Sequence, residues 1–232
     1  MIITIDGPSG SGKTTSGQNF AKLVNYTYLD TGHLYRAITL ATLDRQISVD
    51  DTNIIVQLVN DINISIQKPD SNYQHEYIVM IDEIDVTHEL RSSHIDKNVS
   101  KISTIPDVRQ MMTEKMRFMS HGTNTILIGR DIGTVVIPDA PLKFYLDAKI
   151  EERARRRHEE MTKNGQSISY QKVLSNLQYR DKTDMNRITA PLRKPEDAYL
   201  IDTTFIKPDD VISKMISVYN TITESDNNGK ST

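Results

Sequence analysis

Near its start the chain reads Gly7-Pro8-Ser9-Gly10-Ser11-Gly12-Lys13-Thr14, followed by Thr15. This is the phosphate-binding pattern G-x-x-x-x-G-K-T, placed between the apolar run of residues 2–5 and a predicted helix through Leu23. Glycines let such a loop bend so that its backbone N–H groups point at a polyphosphate, and the following helix N-terminus adds partial positive charge. The loop therefore predicts binding of ATP or GTP, with Lys13 at the β- and γ-phosphates and the Thr14 hydroxyl at Mg²⁺.

Composition and charge indicate a globular protein with one domain, or one domain with an insert. The chain has 232 residues, 37% hydrophobic and 25% charged, and can bury a full core. No run approaches the roughly 18 apolar residues of a membrane helix, and the N-terminus does not resemble a signal peptide. A net charge of −3 argues against nucleic-acid binding, and the lack of cysteine excludes thiol nucleophiles. We expect a cytoplasmic enzyme that binds neither membranes nor nucleic acid.

The charge is unevenly distributed along the chain. Residues 149–194 contain twelve Lys and Arg against six Asp and Glu. These residues can form a solvated helix face with charge pairs at i,i+4 spacing, or a patch that binds phosphates. The residues alone leave both interpretations open.

The order of the predicted elements is typical of an α/β fold. Besides residues 2–5, apolar runs predict buried strands at residues 26–30, 125–128, 142–147 and 198–202. Apolar periodicity predicts helices at residues 33–43, 91–101, 108–119, 150–163, 170–181 and 208–222, before a polar, frayed tail. Thr31-Gly32 predicts a turn before the 33–43 helix.

A β-hairpin interrupts this order at residues 62–66 and 77–81, with a polar turn predicted at Lys68–Asn72. The second strand leads into Asp82-Glu83, which resembles a Walker B pair that would serve Mg²⁺ and water. The apolar strand pattern continues through residues 84–86 where a helix would be expected, and this favours a solvated turn for Asp82-Glu83.

Several polar residues follow predicted strands directly, where open α/β sheets bind their ligands. Tyr35 and Arg36 lie just after the second strand, and Arg130-Asp131 stands in a predicted glycine-flanked loop, residues 129–134. These positions predict a ligand-binding site at the ends of the strands. Arg109, in the first turn of a helix, is either a surface charge or a site residue.

The arginines favour phosphoryl transfer to a small acceptor over hydrolysis. Transfer needs a second pocket and the exclusion of water, and planar guanidinium groups suit an acceptor that carries a phosphate. The candidate arginines at strand ends and in the basic helical segment are Arg36, Arg130, Arg153, Arg156, Arg157 and Arg180. A phosphate acceptor is already anionic, so catalysis then requires positioning and charge neutralisation without a general base.

Four segments in this order resemble bacterial cytidylate kinases, over residues 2–220 as a whole. They are Asp6–Lys13, Leu29-Asp30-Thr31-Gly32-His33-Leu34-Tyr35-Arg36, Gly129–Val136 and Arg180-Asp181-Lys182-Thr183-Asp184-Met185-Asn186-Arg187. The resemblance implies transfer of the ATP γ-phosphoryl group to CMP or dCMP with Mg²⁺. It also implies a P-loop nucleoside monophosphate kinase fold: a five-stranded parallel sheet flanked by helices, with an inserted acceptor-binding segment and a helical lid.

The resemblance further implies roles by position. The residues that would act on the transferring phosphates are Lys13, Arg130, Arg153, Arg157 and Arg180. Arg36 and Arg130 would hold the CMP phosphate. The residues that would contact cytosine are Thr31, Arg109, Asp131 and Arg187, with Tyr35 against the acceptor and Ser100 and Asp184 at the sugar. Asp131 would accept from the cytosine amino group while an arginine donates to the ring, which uracil cannot match.

The expected domain division is a core of residues 1–60, 100–148 and 190–222, an acceptor-binding insert of residues 61–99, a lid of residues 150–188 and a tail of residues 223–232. We expect a monomer. Two alternatives remain open: a kinase for another small acceptor, and a P-loop ATPase that acts on a partner and uses Asp82 and Glu83. The absence of an Asn-Lys-x-Asp guanine signature argues against a GTPase switch.

Overall fold

A computed structural model describes residues 1–67 and 77–229 of the chain. Its strands are β1 (Ile2–Asp6), β2 (Thr27–Asp30), β3 (Ile64–Gln67), β4 (Ile78–Ile81), β5 (Ile84–Asp85), β6 (Thr125–Gly129), β7 (Leu142–Asp147) and β8 (Tyr199–Asp202). Five of them form one parallel sheet in the order β2-β6-β1-β7-β8. The expected five-stranded parallel sheet is therefore confirmed, and the loop of residues 7–12 leaves the carboxyl end of its central strand.

Eight α-helices are present in the described residues. They are α1 (Lys13–Val24), α2 (Thr31–Asp44), α3 (Thr52–Asp61), α4 (Ser93–Ile102), α5 (Pro106–Ser120), α6 (Ile150–Lys163), α7 (Tyr170–Met185) and α8 (Pro208–Gly229). The helices pack on both faces of the parallel sheet around two apolar clusters, one containing Phe20 and Phe144, the other Leu34 and Ile38. Within the described ranges, no helix is both long enough and apolar enough to span a bilayer.

The structure corrects several predicted boundaries. Thr31-Gly32 is the first turn of α2 rather than a separate turn, because the Asp30 carboxylate accepts the N–H of Gly32 and caps the helix. Helix α7 continues past Asp181 to Met185, and α8 continues through most of the predicted tail to Gly229. The predicted loop after β6 contains a π-helix at Ile132–Val136, and α3 was not predicted.

The inserted hairpin is confirmed as β3 and β4, which pair antiparallel and are joined by β5 in a separate three-stranded sheet. The predicted turn at Lys68–Asn72 lies outside the described residues. Asp82 and Glu83 are exposed and connect β4 to β5 with φ of 48° and 68°. The Asp82 carboxylate accepts the N–H of Asn63 and lies 3.5 Å from Arg45. The Walker B interpretation is wrong, because β4 is not a strand of the parallel sheet, and the solvated turn is confirmed.

Candidate active site

The glycine-rich loop between β1 and α1 depends on residues without side chains. Gly7 has a φ of +146°, and a Cβ at this position would lie 2.0 Å from the carbonyl oxygen of Leu146 on the neighbouring strand β7. Gly12 has a φ of +89° and immediately precedes α1. These conformations let the backbone curl around a small space at the N-terminus of α1, where N–H groups attract anions.

Lys13 lies across this loop in a buried position. Its Nζ donates to the carbonyl oxygen of Pro8 at 2.6 Å and to Ser11 Oγ at 3.4 Å. Burial, followed by the positive charge of Arg130, lowers the pKa of Lys13 well below its ordinary value. A polyphosphate in the loop would offset both effects, so Lys13 is suited to an anionic ligand.

The Thr14 hydroxyl donates to Asp30 Oδ2 at 3.0 Å, at the end of β2. Burial would raise the pKa of Asp30, but the charge of His33 and hydrogen bonds from Thr14 and Gly32 bring it below its ordinary value. A hydroxyl beside an ionised carboxylate provides the hard oxygen donors that Mg²⁺ takes alongside phosphate oxygens and water. Within residues 1–67 and 77–229, no group of three or more acidic, His or Cys side chains could hold a metal by itself.

Asp6 fixes the segment after β6 beside the glycine-rich loop. Its two carboxylate oxygens accept the N–H groups of Ile132 and Gly133 at 2.9 and 2.7 Å. Burial raises the pKa of Asp6 to about 6, against these two hydrogen bonds, which lower it. The bonds hold Arg130 and Asp131, the two preceding residues, at the carboxyl end of β6.

Asp131 forms a buried ion pair with Arg109 from α5. Arg109 Nη2 lies 2.5 Å from Asp131 Oδ2, and Arg109 Nη1 donates to the carbonyl oxygen of Ser103 at 3.0 Å. The guanidinium carbon lies over the ring of Tyr35, 5.4 Å from its centre. The nearby Thr31 hydroxyl donates to the carbonyl oxygen of Ile128. Arg109 is thus buried, and the surface-charge interpretation is wrong.

A second group of charges lies at the end of α7. Arg130 Nε donates to Asp184 Oδ2 at 3.0 Å, and Asp184 Oδ1 pairs with Arg187. Burial would raise the pKa of Asp184, but the positive charges of Arg130, Arg187 and Arg180 hold it below its ordinary value. Burial, and then the charge of Arg130, lowers the pKa of Arg180 to about 10.

Three buried polar atoms of these two groups have no hydrogen-bond partner among the described residues. They are Tyr35 Oη, Arg109 Nε and Arg187 Nε. An unpaired buried donor costs free energy. Both arginines lie close enough to Tyr35 for their charges to act on it, so the three atoms indicate a site that is completed by a polar ligand with acceptor atoms.

Arg36 and Ser100 lie on two helices, α2 and α4, that pack against each other. Arg36 on α2 donates to the carbonyl oxygen of Leu90 at 2.8 Å and to Asp96 Oδ1 at 2.5 Å. Ser100 lies one turn after Asp96 on α4 and is half-buried.

The basic segment, residues 149–194, contains arginines that pair along an exposed helix face and also a buried arginine. Arg155 pairs with Glu152 and Glu159, and Arg157 pairs with Glu160, as a solvated helix predicts. Arg153 is buried instead, and its guanidinium contacts the carbonyl oxygens of Ser9 and Ala148 and the carboxylate of Asp181. Arg153 therefore joins the base of α6 to the glycine-rich loop and to α7.

A cavity of about 530 Å³ opens beside the loop. Its walls include Gly12, Thr15, Arg156, Thr203 and Ile206. Two of the lining residues are joined by hydrogen bonds: Arg156 donates to the hydroxyl and carbonyl oxygens of Thr203, which follows β8. Nothing in the sequence pattern predicted a role for residues 203–206.

Sequence reasoning assigned no role to four carboxylates that organise the site: Asp6, Asp30, Asp96 and Asp181. Asp6 and Asp30 end parallel strands, so the rule that ligands bind at such ends could have found them. Asp96 and Asp181 lie within helices whose pattern carries no comparable signal.

Comparison with known proteins gives one consistent result. The sequence model of the family described as cytidylate kinase matches residues 3–221. The chain is 44% identical over 213 residues to the cytidylate kinase of Caldanaerobacter subterraneus subsp. tengcongensis, covering 92% of each chain. It is 41% identical over 218 residues to that of Carboxydothermus hydrogenoformans, covering 94% of this chain and 96% of the relative. A gluconokinase structure from Sinorhizobium meliloti shares the fold, with a TM-score of 0.52 and 13% identity over 96% and 93% of the two chains.

Proposed function

The chain belongs to the cytidylate kinase family, and on that premise we propose that it transfers the γ-phosphoryl group of ATP to CMP or dCMP. The products are ADP and CDP or dCDP. The observation that carries the assignment of the acceptor site is the buried Arg109–Asp131 pair, 2.5 Å apart, beside the unpartnered Nε atoms of Arg109 and Arg187.

ATP binds through residues 7–15 in this proposal. The backbone N–H groups and Lys13 take the β- and γ-phosphates. The cavity lined by Thr15, Arg156 and Ile206 adjoins the loop and takes the adenosine end. This places the γ-phosphate toward Arg130, whose charge already acts on Lys13.

The acceptor phosphate binds between Arg36 and Arg130. Both carry planar guanidinium groups that can form two parallel bonds to a phosphate. The acceptor oxygen is already deprotonated, so the chain needs to hold two anions in line and neutralise their charge rather than remove a proton. Arg157 and Arg180, from α6 and α7, supply further positive charge to the transferring group, and Arg153 positions these helices against the loop.

Base recognition falls to Asp131, Arg109 and Arg187, with Thr31 and Tyr35 forming the adjoining wall. Asp131 accepts a hydrogen bond from the cytosine amino group, and the free Nε atoms donate to the ring nitrogen and carbonyl. Uracil would place a carbonyl oxygen against the Asp131 carboxylate, which costs a few kcal/mol in a buried pocket. Asp184 and Ser100 lie at the sugar.

Thr14 and Asp30 fit the oxygen donors that Mg²⁺ requires, and we assign the ion to them. When bound, Mg²⁺ neutralises charge on the transferring phosphates. The Thr14 hydroxyl donates its proton to Asp30 at 3.0 Å and keeps its lone pairs, so its oxygen would be able to ligate the ion with this hydrogen bond in place.

The proposal retains the predicted division into core, acceptor-binding insert (residues 61–99) and lid (residues 150–188). In support, β3, β4 and β5 form a sheet of their own, and α6 and α7 pack around a separate apolar cluster of Ala154, Val173 and Leu177. A monomeric state and a cytoplasmic location remain predictions, which size-exclusion chromatography and cell fractionation would test.

An ADP-release assay with ATP and Mg²⁺ tests the proposed reaction, with CMP, dCMP, UMP, AMP, GMP or no acceptor. We expect a rate with CMP and dCMP, and a rate near background without acceptor. A rate that does not depend on the acceptor would favour the ATPase alternative, and a rate confined to another acceptor would reassign the base pocket.

A further inference from the structure

One carboxylate in the insert lies among arginines from three other elements. Asp96 Oδ1 accepts from Arg36 Nη2, on α2, at 2.5 Å. Asp96 Oδ2 lies 3.9 Å from Arg157 Nη2, on α6. Arg180, on α7, lies close enough for the charge of Asp96 to act on it. Asp96 thus occupies an arginine cluster that the proposed function assigns to phosphates.

Arg36 uses both of its terminal nitrogens within the chain. Nη1 donates to the neutral carbonyl oxygen of Leu90 at 2.8 Å, and Nη2 donates to the Asp96 carboxylate. A phosphate that binds the other N–H donors of Arg36 shares the guanidinium with these two contacts. The Asp96 carboxylate is the contact that resembles a phosphate in charge and geometry, and it is also the one that a dianion repels.

We propose, on the basis of the function proposed above, that Asp96 is an internal counter-ion that competes with the acceptor's phosphate for Arg36, while its second oxygen faces Arg157. Asp96 is then a positioning residue that sets acceptor affinity. It holds the arginines in place before the acceptor arrives, and it lowers the affinity for the phosphate through like charge. Its link between the insert and α6 is released when the phosphate replaces it.

Asp96 also lies in the first turn of α4, where a negative charge stabilises the helix. This structural role alone predicts that removal of the charge lowers stability and leaves ligand affinity unchanged or weaker. The competing role predicts tighter binding, and only for ligands that carry the phosphate. The sign of the affinity change therefore separates the two roles.

Titration calorimetry of the full chain with CMP and with cytidine, without ATP, tests the proposal. We expect Asp96→Asn to bind CMP about 3- to 10-fold more tightly, the effect of one partly exposed charge near a dianion, and cytidine with wild-type affinity. Asparagine has the same shape and can still accept from Arg36, and Leu90 remains a second anchor. Asp96→Glu keeps the charge, and we expect its CMP affinity to stay close to that of the wild type.

Asp50→Asn is the matched control. Asp50 pairs with Lys101, which lies on α4 like Asp96, and removal of the Asp50 charge changes the net charge by the same amount. It should leave both affinities unchanged. Unchanged or weaker CMP binding by Asp96→Asn would overturn the inference, and so would an equal gain for cytidine or the same gain in Asp50→Asn. A wild-type chain that binds no CMP would overturn the proposed function and the inference with it. Failure of the inference alone would appear as normal CMP binding by the wild type without a gain in Asp96→Asn.

Discussion

The glycine-rich loop and the cluster around Asp131 are both suited to phosphate-bearing ligands, but they are built differently. The loop is one contiguous segment, and its shape comes from backbone conformations at Gly7 and Gly12. The cluster takes its side chains from α2, α5, α7 and the segment after β6, and it pairs its own charges, as in Arg109–Asp131 and Arg130–Asp184. The loop therefore depends on local sequence, whereas these two pairs of the cluster join residues 22 and 54 positions apart.

Because of this difference, we expect the largest loss of activity when Lys13, the buried cation of the loop, is replaced. We expect Lys13→Met to lower kcat/KM about 10³-fold, because one preorganised charge is lost from the transferring phosphates. The thermal unfolding temperature should not fall, because burial already disfavours the charged form of Lys13, as its lowered pKa indicates. Steady-state kinetics and thermal unfolding measure the two effects.

Lys22→Met is the control for Lys13, since Lys22 lies on the same helix and is exposed. It should retain wild-type kcat/KM. If Lys13→Met also lowered the unfolding temperature, Lys13 would support the fold of the loop, and the loop and the cluster would not differ in this respect.

In the cluster, removal of one charge should cost less activity but more stability. We expect Asp131→Asn to lower kcat/KM for CMP about 10²-fold and to lower it far less for UMP, because the amide can no longer favour the cytosine amino group. It also leaves the Arg109 guanidinium buried without its counter-ion, so the free energy of unfolding should fall by about 3 kcal/mol. Kinetics with both acceptors and urea unfolding check these outcomes.

Asp139→Asn serves as the control, because Asp139 is an exposed carboxylate eight residues further along. We expect neither activity nor stability to change in it. Equal losses for CMP and UMP in Asp131→Asn would remove Asp131 from base recognition. A loss of activity beyond that of Lys13→Met would reverse the order of the two regions.

The same difference explains how far the sequence could predict this molecule. The P-loop, the five parallel strands and the inserted hairpin follow from local spacing and apolar runs, which act within a few residues. The burial of Arg109 did not follow from local spacing, because it depends on Asp131, 22 positions away. The spacing of the 150–163 helix was equally unable to separate Arg155, which pairs along its own helix, from Arg153, whose partners are Ser9 and Asp181.

The smallest effect is expected from charges that are paired but partly exposed. Hydrogen bonds from Arg155 lower the pKa of Glu152 to about 2, with Arg156 contributing in the same direction. Because the folded-state pKa lies below the ordinary value of 4.5, this stabilisation is fully present above about pH 4.5 and is lost as the pH falls toward 2.

We expect Glu152→Gln to lower the unfolding temperature at pH 7 by no more than about 2 °C, since solvent screens exposed pairs. The difference from wild type should shrink as the pH falls from 4.5 toward 2. Glu160→Gln, which removes the partner of Arg157 on the same helix, is the matched control and should show a similarly small change. If Glu152→Gln instead destabilised the chain as much as Asp131→Asn, burial would not account for the cost of breaking the Arg109–Asp131 pair. The side chains are 4% and 6% exposed for Arg109 and Asp131, against 53% and 20% for Arg155 and Glu152, and Arg155 keeps Glu159 as a second partner. The comparison therefore measures the combined contribution of desolvation and of a remaining counter-ion.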